Sequence, residues 1–320
     1  SSAASDVYKR QYLNPDVVAH FDTLKIEDVE DNKVFISGTK GSPPPANHKV
    51  CMNLSGGYKN SMELILTGLD IPEKAEIFTD ELFHSLGGKE KFDDVSVQLI
   101  RTDKPNPDTN EEAMATLKID VKSRIPEVVG RIFSAKVVEL GLANYPGWTV
   151  QSDIKQGGPF ISYWPALIGN DKVRETVHFD GKEYGIEVPT HKNFDVEKTE
   201  IKVEEMEINE TEKIAFGRIF GTRSGDKGGC ANLGTWAKDL ESYQFLYHFL
   251  TVEELKKLLP DLKEYEIERH EFPNILALNF FVRGLLENGV SSNNRRDGQA
   301  KSLGEYLGSK LIDCPKDLKG

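Results

Sequence analysis

The chain has 320 residues, of which 52 are acidic and 40 are basic, so its formal net charge is −12. Sixteen Phe, ten Tyr and three Trp supply enough apolar surface for a core, which excludes a wholly disordered chain. The acidic balance argues against non-specific nucleic-acid binding and against a membrane-surface role. We therefore expect neither nucleic acid nor membrane as a partner.

The three cysteines, Cys51, Cys230 and Cys314, lie far apart in the sequence and form no CxxC pair. This pattern favours a reducing compartment and gives no reason to expect a metal site. The most apolar stretch, residues 275–286, is too short to span a bilayer. We expect a cytoplasmic protein, with a mitochondrial location as the alternative.

Residues 1–11 read SSAASDVYKRQ and match neither a secretory signal nor a transit peptide. We interpret them as a non-native tail joined to a chain that starts within a longer protein, so that the native N-terminus and any targeting signal are missing. An ordinary chain terminus is the alternative interpretation.

The first part of the chain, residues 12–194, alternates between strand and helix patterns. We predict strands at 33–38, 50–54, 64–66, 95–100 and 116–121. A glycine turn is predicted at 55–58. Helices are predicted from Asp70 to Gly87 and over 126–143, and an apolar segment follows at 160–168. This order predicts an α/β or α+β domain with a mixed sheet, here incomplete.

An acidic segment at 195–212 has few large apolar residues and is predicted to be a linker between two domains. The second domain, 213–313, has the composition of a small α+β sandwich. Its predicted strands are 214–221 and 265–271, and its predicted helices are one after Thr251 and one over 299–312. Residues 275–286 fit a buried strand or a helix.

The segment from Gly221 to Asn232 reads GTRSGDKGGCAN and is predicted to be a loop. Its glycines would let backbone N–H groups surround an anion, beside two cationic side chains. The predicted anion-binding groups are Arg223, Ser224, Gly225, Lys227, Gly228 and Asn232. The segment is not a Walker A motif. The alternative is a tight surface turn in which Asp226 neutralises the nearby cations.

A second polar cluster, residues 289–301, adds Arg295, Asp297 and Lys301 before the last predicted helix. Asp297 can cap that helix, and the N–H groups of its first turn can face an anion. Helix capping combined with surface solubility is the alternative, and it is the stronger of the two.

Two further polar residues lie between these clusters. Asn279 stands among apolar residues and needs hydrogen-bond partners if it is buried, where it can simply tie two strands together. His270 has the chemistry of a general acid or base near neutral pH.

Four ordered motifs, RSGDKGG, ANLG, RHEFPNILALNF and RxDxQxK, resemble the C-terminal domain of the acyclic terpene utilisation (AtuA) family. Upstream, VCMNLSGGY, LTGLD and YPGW are similar to the second part of that family's N-terminal domain. The resemblance runs from Tyr12 to Ile312 and implies a ferredoxin-like C-terminal domain. It differs in two respects: a glycine-rich stretch near the family's own start is missing, and Ala300 replaces a usual glycine.

The family is linked to catabolism of acyclic terpenes such as citronellol and geraniol, whose acids are processed as coenzyme A thioesters. The resemblance therefore implies a small anionic substrate, with no cofactor evident beyond a coenzyme A thioester as substrate. We assign possible acid–base roles to Asp226, His270 and Asp297. The predicted anion-binding set is completed by Asn279, Arg295 and Lys301. The alternative is a non-catalytic subunit that assembles with an acyl-CoA carboxylase or with copies of itself.

Overall fold

The computed structural model describes residues 11–13, 17–30, 33–143, 145–186, 203, 204, 206 and 210–318. These residues form two compact units. One combines the described residues within 1–52 and 163–320, and the other comprises 53–162. The predicted tail, except Gln11, and most of the predicted acidic linker lie outside the described residues, so both stay predictions.

The described chain is mostly strand, with shorter helices between the strands. The strands are β1 (Gln11–Leu13), β2 (Val18–His20), β3 (Lys25–Glu30), β4 (Lys33–Ser37), β5 (Lys40–Ser42), β6 (Asn47–Thr67), β7 (Asp94–Ile100), β8 (Met114–Ser123), β9 (Trp148–Val150), β10 (Gly158–Gly169), β11 (Thr176–Phe179), β12 (Lys182–Gly185), β13 (Thr211–Ala215), β14 (Gly221–Lys227), β15 (Cys230–Trp236), β16 (Ile267–Phe272), β17 (Ala277–Val282) and β18 (Leu311–Pro315). The helices are α1 (Ile71–Leu86), α2 (Pro126–Val129), α3 (Arg131–Ala143), α4 (Leu240–Phe249), α5 (Val252–Leu258) and α6 (Leu303–Gly308).

In the unit 53–162, the sheet has the strand order β10-β6-β8-β7, and β9 also pairs with β6. Apolar residues alternate along β8, and one face of the sheet packs against α1 and α3. Phe78 of α1 and Phe133 of α3 are fully buried in this core. The other face of β8 carries Lys118 and Asp120, which are also buried and pair at 2.7 Å between Nζ and Oδ2.

The glycine turn predicted at 55–58 is wrong, because β6 runs through it without interruption. The two glycines instead permit close packing within the sheet. A Cβ at Gly56 would lie 2.2 Å from the Phe160 ring, and Gly57 has φ +103° with Ser123 O directly beside it. The two glycines therefore indicate a close approach between neighbouring strands, and the chain does not reverse direction there.

Two of the predicted helices differ in length from the structure. The helix predicted over 126–143 is divided into α2 and α3 at Gly130. The helix predicted over 299–312 is only α6, after which the chain enters β18 and pairs with β13. Near its end Ile312 is buried and Leu311 is exposed, which is the alternation of a strand, so the helical spacing was misleading.

The C-terminal sheet has the strand order β14-β15-β17-β16, and all three pairings are antiparallel. One face packs against α4, α5 and α6 in a single apolar core that includes Leu233, Phe280 and Leu246. The ambiguous segment 275–286 is therefore a strand, β17, followed by turns. Sheets and helices segregated in this way confirm the predicted α+β class.

Among the described residues, no helix combines the length and the apolar character needed to cross a membrane.

The three cysteines differ in environment, which predicts their reactivity. Burial, with a smaller contribution from Glu212, raises the pKa of the Cys314 thiol from 9.0 to about 11, whereas Cys51 is exposed. At pH 8 we expect iodoacetamide to label Cys51 rapidly and Cys314 only after unfolding, because the thiolate is the nucleophile. Peptide mass spectrometry of folded and unfolded protein measures this difference.

The same shift predicts a pH dependence of stability. Between pH 9 and about 11 the unfolded Cys314 thiol ionises while the folded one stays protonated, so the free energy of unfolding falls as the pH rises. The Cys314→Ala variant should lose this part of the decline. A Cys314→Ala curve parallel to that of the wild type across this range would contradict the prediction.

Candidate functional site

The glycine-rich segment 221–232 is not a loop, and that prediction is wrong. It forms β14, a two-residue turn at Gly228 and Gly229, and the first part of β15. Lys227 pairs with Cys230 across the turn, and Gly225 pairs with Asn232. Strand pairing occupies the backbone here, so a nest of inward N–H groups does not form along β14.

Close packing explains why both turn positions are glycine. Gly228 has φ +65°, and a Cβ there would lie 2.7 Å from the ring of Tyr163. A Cβ at Gly229 would lie 2.1 Å from the carbonyl oxygen of Glu287. Both glycines thus let neighbouring segments of the chain lie directly against the hairpin.

Residues of the predicted site are divided between the two faces of the sheet by its register. Directly opposed residues share a face, and successive residues alternate between faces. One row therefore crosses the whole sheet as Arg223, Gly234, Asn279 and His270. We call the face that carries this row the polar face. Its other predicted members are Gly225, Lys227 and Asn232.

Gly234 lies at the centre of an open depression on the polar face. Its four nearest positions on that face are Arg223 and Asn279 across the strands, and Asn232 and Trp236 along β15. A Cβ at Gly234 would have only the Arg223 carbonyl oxygen within 4 Å, at 3.6 Å, so the space above it is open. We call Gly234 and these four neighbours the glycine recess.

The two asparagines of the recess are buried and joined to each other. Asn232 is 4% and Asn279 is 7% exposed, and Asn232 Nδ2 donates to Asn279 Oδ1 at 3.3 Å. Asn279 Nδ2 is buried and has no hydrogen-bond partner within the part of the chain that the structure describes. A buried donor of this kind costs about 1–3 kcal/mol unless an acceptor reaches it. The hydrogen bond between two strands that the sequence predicted for Asn279 is present. It uses only the oxygen of the Asn279 amide.

The cationic and aromatic members of the recess are accessible. Arg223 is exposed, and its guanidinium has no ion-pair partner among the described residues. Trp236 is 42% exposed, and its indole ring lies over Gly221, where a Cβ would come within 2.1 Å of the ring. The recess therefore offers positive charge on one side and an apolar aromatic surface on another.

His270 lies at the far end of the same row, beyond Asn279. Its Nε2 is 3.5 Å from Glu268 Oε2, and Glu268 Oε1 accepts a hydrogen bond from Arg283. Three strand spacings, about 14 Å, separate the His270 and Arg223 backbones. A ligand held by Arg223 thus meets His270 only if it extends across β15 and β17.

The remaining residues of β14 face the helices. Ser224 Oγ accepts the backbone N–H of Gly304 at 2.8 Å, near the start of α6. Asp226 Oδ1 lies 3.6 Å from Lys301 Nζ. These contacts attach α6 to the sheet, so Ser224, Asp226 and Lys301 are not part of the recess.

The cluster before α6 is engaged in local contacts. Asp297 accepts hydrogen bonds from the backbone N–H groups of Lys301 and Ser302 and from the Ser302 hydroxyl, at 2.7–2.9 Å. Arg295 pairs with Asp261 at 3.2 Å. Ala300 has φ +52°, which explains why glycine suits this position in the resembled motif. The structure does not bring these residues to the recess.

Two members of the recess, Gly234 and Trp236, were missed by the sequence analysis. The signal that could have found them is the period of two along CANLGTW, which puts Gly234 and Trp236 on the face of Asn232 once the segment is read as a strand. No group of three or more His, Cys, Asp or Glu residues is placed to hold a metal ion in the described chain.

The fold and the recess define an α+β protein with a cationic, amide-lined depression on an antiparallel sheet. A family model described as acyclic terpene utilisation family protein AtuA matches residues 6–179, and one described as the AtuA ferredoxin-like domain matches 214–313. The chain belongs to the AtuA family, which places it in acyclic terpene utilisation. No matching curated protein and no matching solved structure is found.

The different roles of the two faces predict different results for two polar-to-apolar variants. Ser224→Ala removes the acceptor of the buried Gly304 N–H and should lower the free energy of unfolding by about 1–3 kcal/mol. Asn279→Leu removes a buried donor that has no partner among the described residues, but it also removes the acceptor of Asn232 Nδ2. Because these two effects oppose each other, Asn279→Leu should destabilise the protein less than Ser224→Ala does.

Urea denaturation of both variants beside the wild type measures the two changes. If Asn279→Leu were the more destabilising of the two, Asn279 would be a structural residue of the sheet rather than a ligand group.

Proposed function

We propose that the glycine recess binds the carboxylate or thioester end of a branched-chain acid or its coenzyme A derivative. The observation that carries the proposal is that Arg223 and the Asn279 amide lie on either side of Gly234. Arg223 is exposed, the Asn279 donor is buried, and neither has an ion-pair or hydrogen-bond partner for these groups among the described residues. Each of these groups is satisfied by an oxygen atom with negative charge.

The negative net charge of the chain favours anion binding at Arg223 over binding elsewhere on the surface. With a net charge of −12, most of the surface repels anions, so an accessible cation beside an open depression defines where an anion stays. A charge-assisted hydrogen bond contributes about 1.5–3 kcal/mol. Lys227 lies on the same face two residues beyond Gly225 and adds positive potential.

The shape of the recess suits an apolar tail on the anion. Trp236 presents an exposed aromatic surface two residues from Gly234 along β15. Phe281 lies two residues from Asn279 along β17, on the same face and directly opposite Asn232. A branched hydrocarbon chain can pack against the indole while its carboxylate reaches Arg223. His270 then serves as an acid or base only for a substrate long enough to cross two strands.

The test is a comparison of two variants with the same change of charge. Arg223→Gln should weaken binding of geranate or its coenzyme A thioester about 10- to 150-fold, the factor equivalent to one charge-assisted contact. Arg295→Gln serves as the control, because Arg295 is engaged by Asp261 outside the recess. Isothermal titration calorimetry measures the dissociation constants.

An equal loss of affinity in both variants would assign the effect to net charge, against the proposal. Absence of binding by the wild type to branched acids and to their thioesters would also contradict it.

A second function, assembly with further copies of the chain, is favoured by a separate observation. The hairpin of β3 and β4 exposes Ile26, Val34, Phe35 and Ile36, each 52–60% accessible. Ile26, Val34 and Ile36 share one face of the hairpin, and Phe35 lies on the other. A two-stranded hairpin is marginally stable in water by itself, and an exposed apolar face on it is typical of a protein interface.

The paired variant Ile26→Thr/Ile36→Thr should convert an oligomer to monomer, because the two residues lie opposite each other in the hairpin. Ile132→Thr, at an exposed position of α3, is the control and should leave the oligomer unchanged. Sedimentation velocity of the three proteins measures the change. A monomeric wild type would exclude this function.

A further inference from the structure

A serine and a histidine meet in the small sheet formed by β1, β2 and β5. His20 ends β2, Ser42 ends β5, and His20 Nε2 lies 2.7 Å from Ser42 Oγ. His20 is only 8% exposed, whereas Ser42 is half-buried. This distance is a short, well-formed hydrogen bond between a potential nucleophile and a potential base.

A carboxylate lies on the other side of the same imidazole ring. His20 Nδ1 is 4.0 Å from Asp22 Oδ1. That oxygen is buried and has no hydrogen-bond partner among the described residues. Hydrogen bonds of catalytic groups are often long without substrate and shorten in the reacting complex, so 4.0 Å is compatible with an orienting role.

The turn that carries Asp22 is fixed by side chains from two directions. Thr23 Oγ1 donates to the carbonyl of His20 at 2.8 Å and accepts the backbone N–H of Lys40 at 2.9 Å. Asn274 Nδ2 donates to the carbonyls of Phe21 at 2.9 Å and Leu24 at 2.8 Å. Asn274 is the last residue of the RHEFPN motif.

We propose that Ser42, His20 and Asp22 form a nucleophilic site that transfers the acyl group of a small ester or thioester. Ser42 is the nucleophile, His20 is the base, and Asp22 is a positioning residue that holds the His20 proton on Nδ1. Such an arrangement is recognised by geometry and not by the order of its residues in the chain. The proposal does not depend on ligand binding at the glycine recess.

The reaction balances with water as the second substrate. Ser42 Oγ bonds to the acyl carbon while its proton moves to His20 Nε2, and the alcohol or thiol leaves with that proton as its bond to carbon breaks. A water molecule then attacks the acyl-serine and gives a proton to His20. The carboxylic acid departs, and the proton returns to Ser42.

The charged groups around His20 are few among the described residues. Asp22 lies on the following turn, and Lys40 is paired directly opposite His20 on β5. The carboxylate stabilises the imidazolium that forms during the reaction, whereas the lysine opposes it.

The test uses a fluorophosphonate probe, which a nucleophilic serine attacks at phosphorus with loss of fluoride. We expect a covalent adduct on Ser42, located by peptide mass spectrometry. Ser42→Ala should abolish this adduct, and His20→Gln should slow its formation at least 100-fold. Ser37→Ala changes a half-buried serine at the end of β4 and should have no effect.

Because His20 is buried, its variant needs a measurement of folding alongside that of labelling. Asp22→Asn retains the side-chain shape and should slow labelling while the thermal melting temperature stays the same. Asp22→Glu, which keeps the carboxylate, should be labelled faster than Asp22→Asn, a difference that loss of packing alone does not produce.

No adduct on Ser42 in the folded wild type would overturn the proposal. So would labelling at an unchanged rate in a folded His20→Gln or Asp22→Asn protein. In either case the Ser42–His20 bond would be a structural contact between β2 and β5.

Discussion

The antiparallel register of β14, β15 and β17 is the constraint on which the rest of the C-terminal structure depends. Once Gly234 is paired with Arg223 on one side and Asn279 on the other, every residue of these strands is assigned to a face. A shift of one residue would exchange the two faces and place the asparagines in the helix core. The apolar residues Leu233 and Phe280 prevent this, because they must remain under the helices.

Glycine contributes to this sheet in three different ways. Gly228 and Gly229 allow the hairpin to turn against neighbouring segments. Gly304 allows α6 to lie close to β14, since a Cβ there would be 3.2 Å from the backbone nitrogen of Arg223. At Gly234 the space above the sheet is left unfilled. Glycine in this sheet thus allows close packing of the backbone at some positions and an open position at Gly234.

Asn274 connects the two candidate sites of the larger unit. It stands at the turn between β16 and β17, and its side chain holds the turn that contains Asp22. This one polar side chain thus links the turn between β16 and β17 to a turn about 250 residues earlier in the chain.

Much of the secondary structure was predictable, because alternation and helical spacing are local properties. The strands β7 and β8 and the helix α1 follow their patterns closely, and Thr251 caps α5 as its sequence indicates. The motifs also sufficed for the family and for the α+β class. Prediction was weakest where glycines occur, since the same residue permits turns, close packing and open space.

The sequence by itself determined which chemical groups are available: a small set of cations, amides and carboxylates in the last hundred residues. The tertiary structure alone decided that Arg223 and Asn279 share a face while Ser224 and Asp226 do not. It also decided that Ser42 reaches His20. These decisions depend on which strands pair and in which register, and that choice is made by the burial of apolar side chains that are distant in the chain.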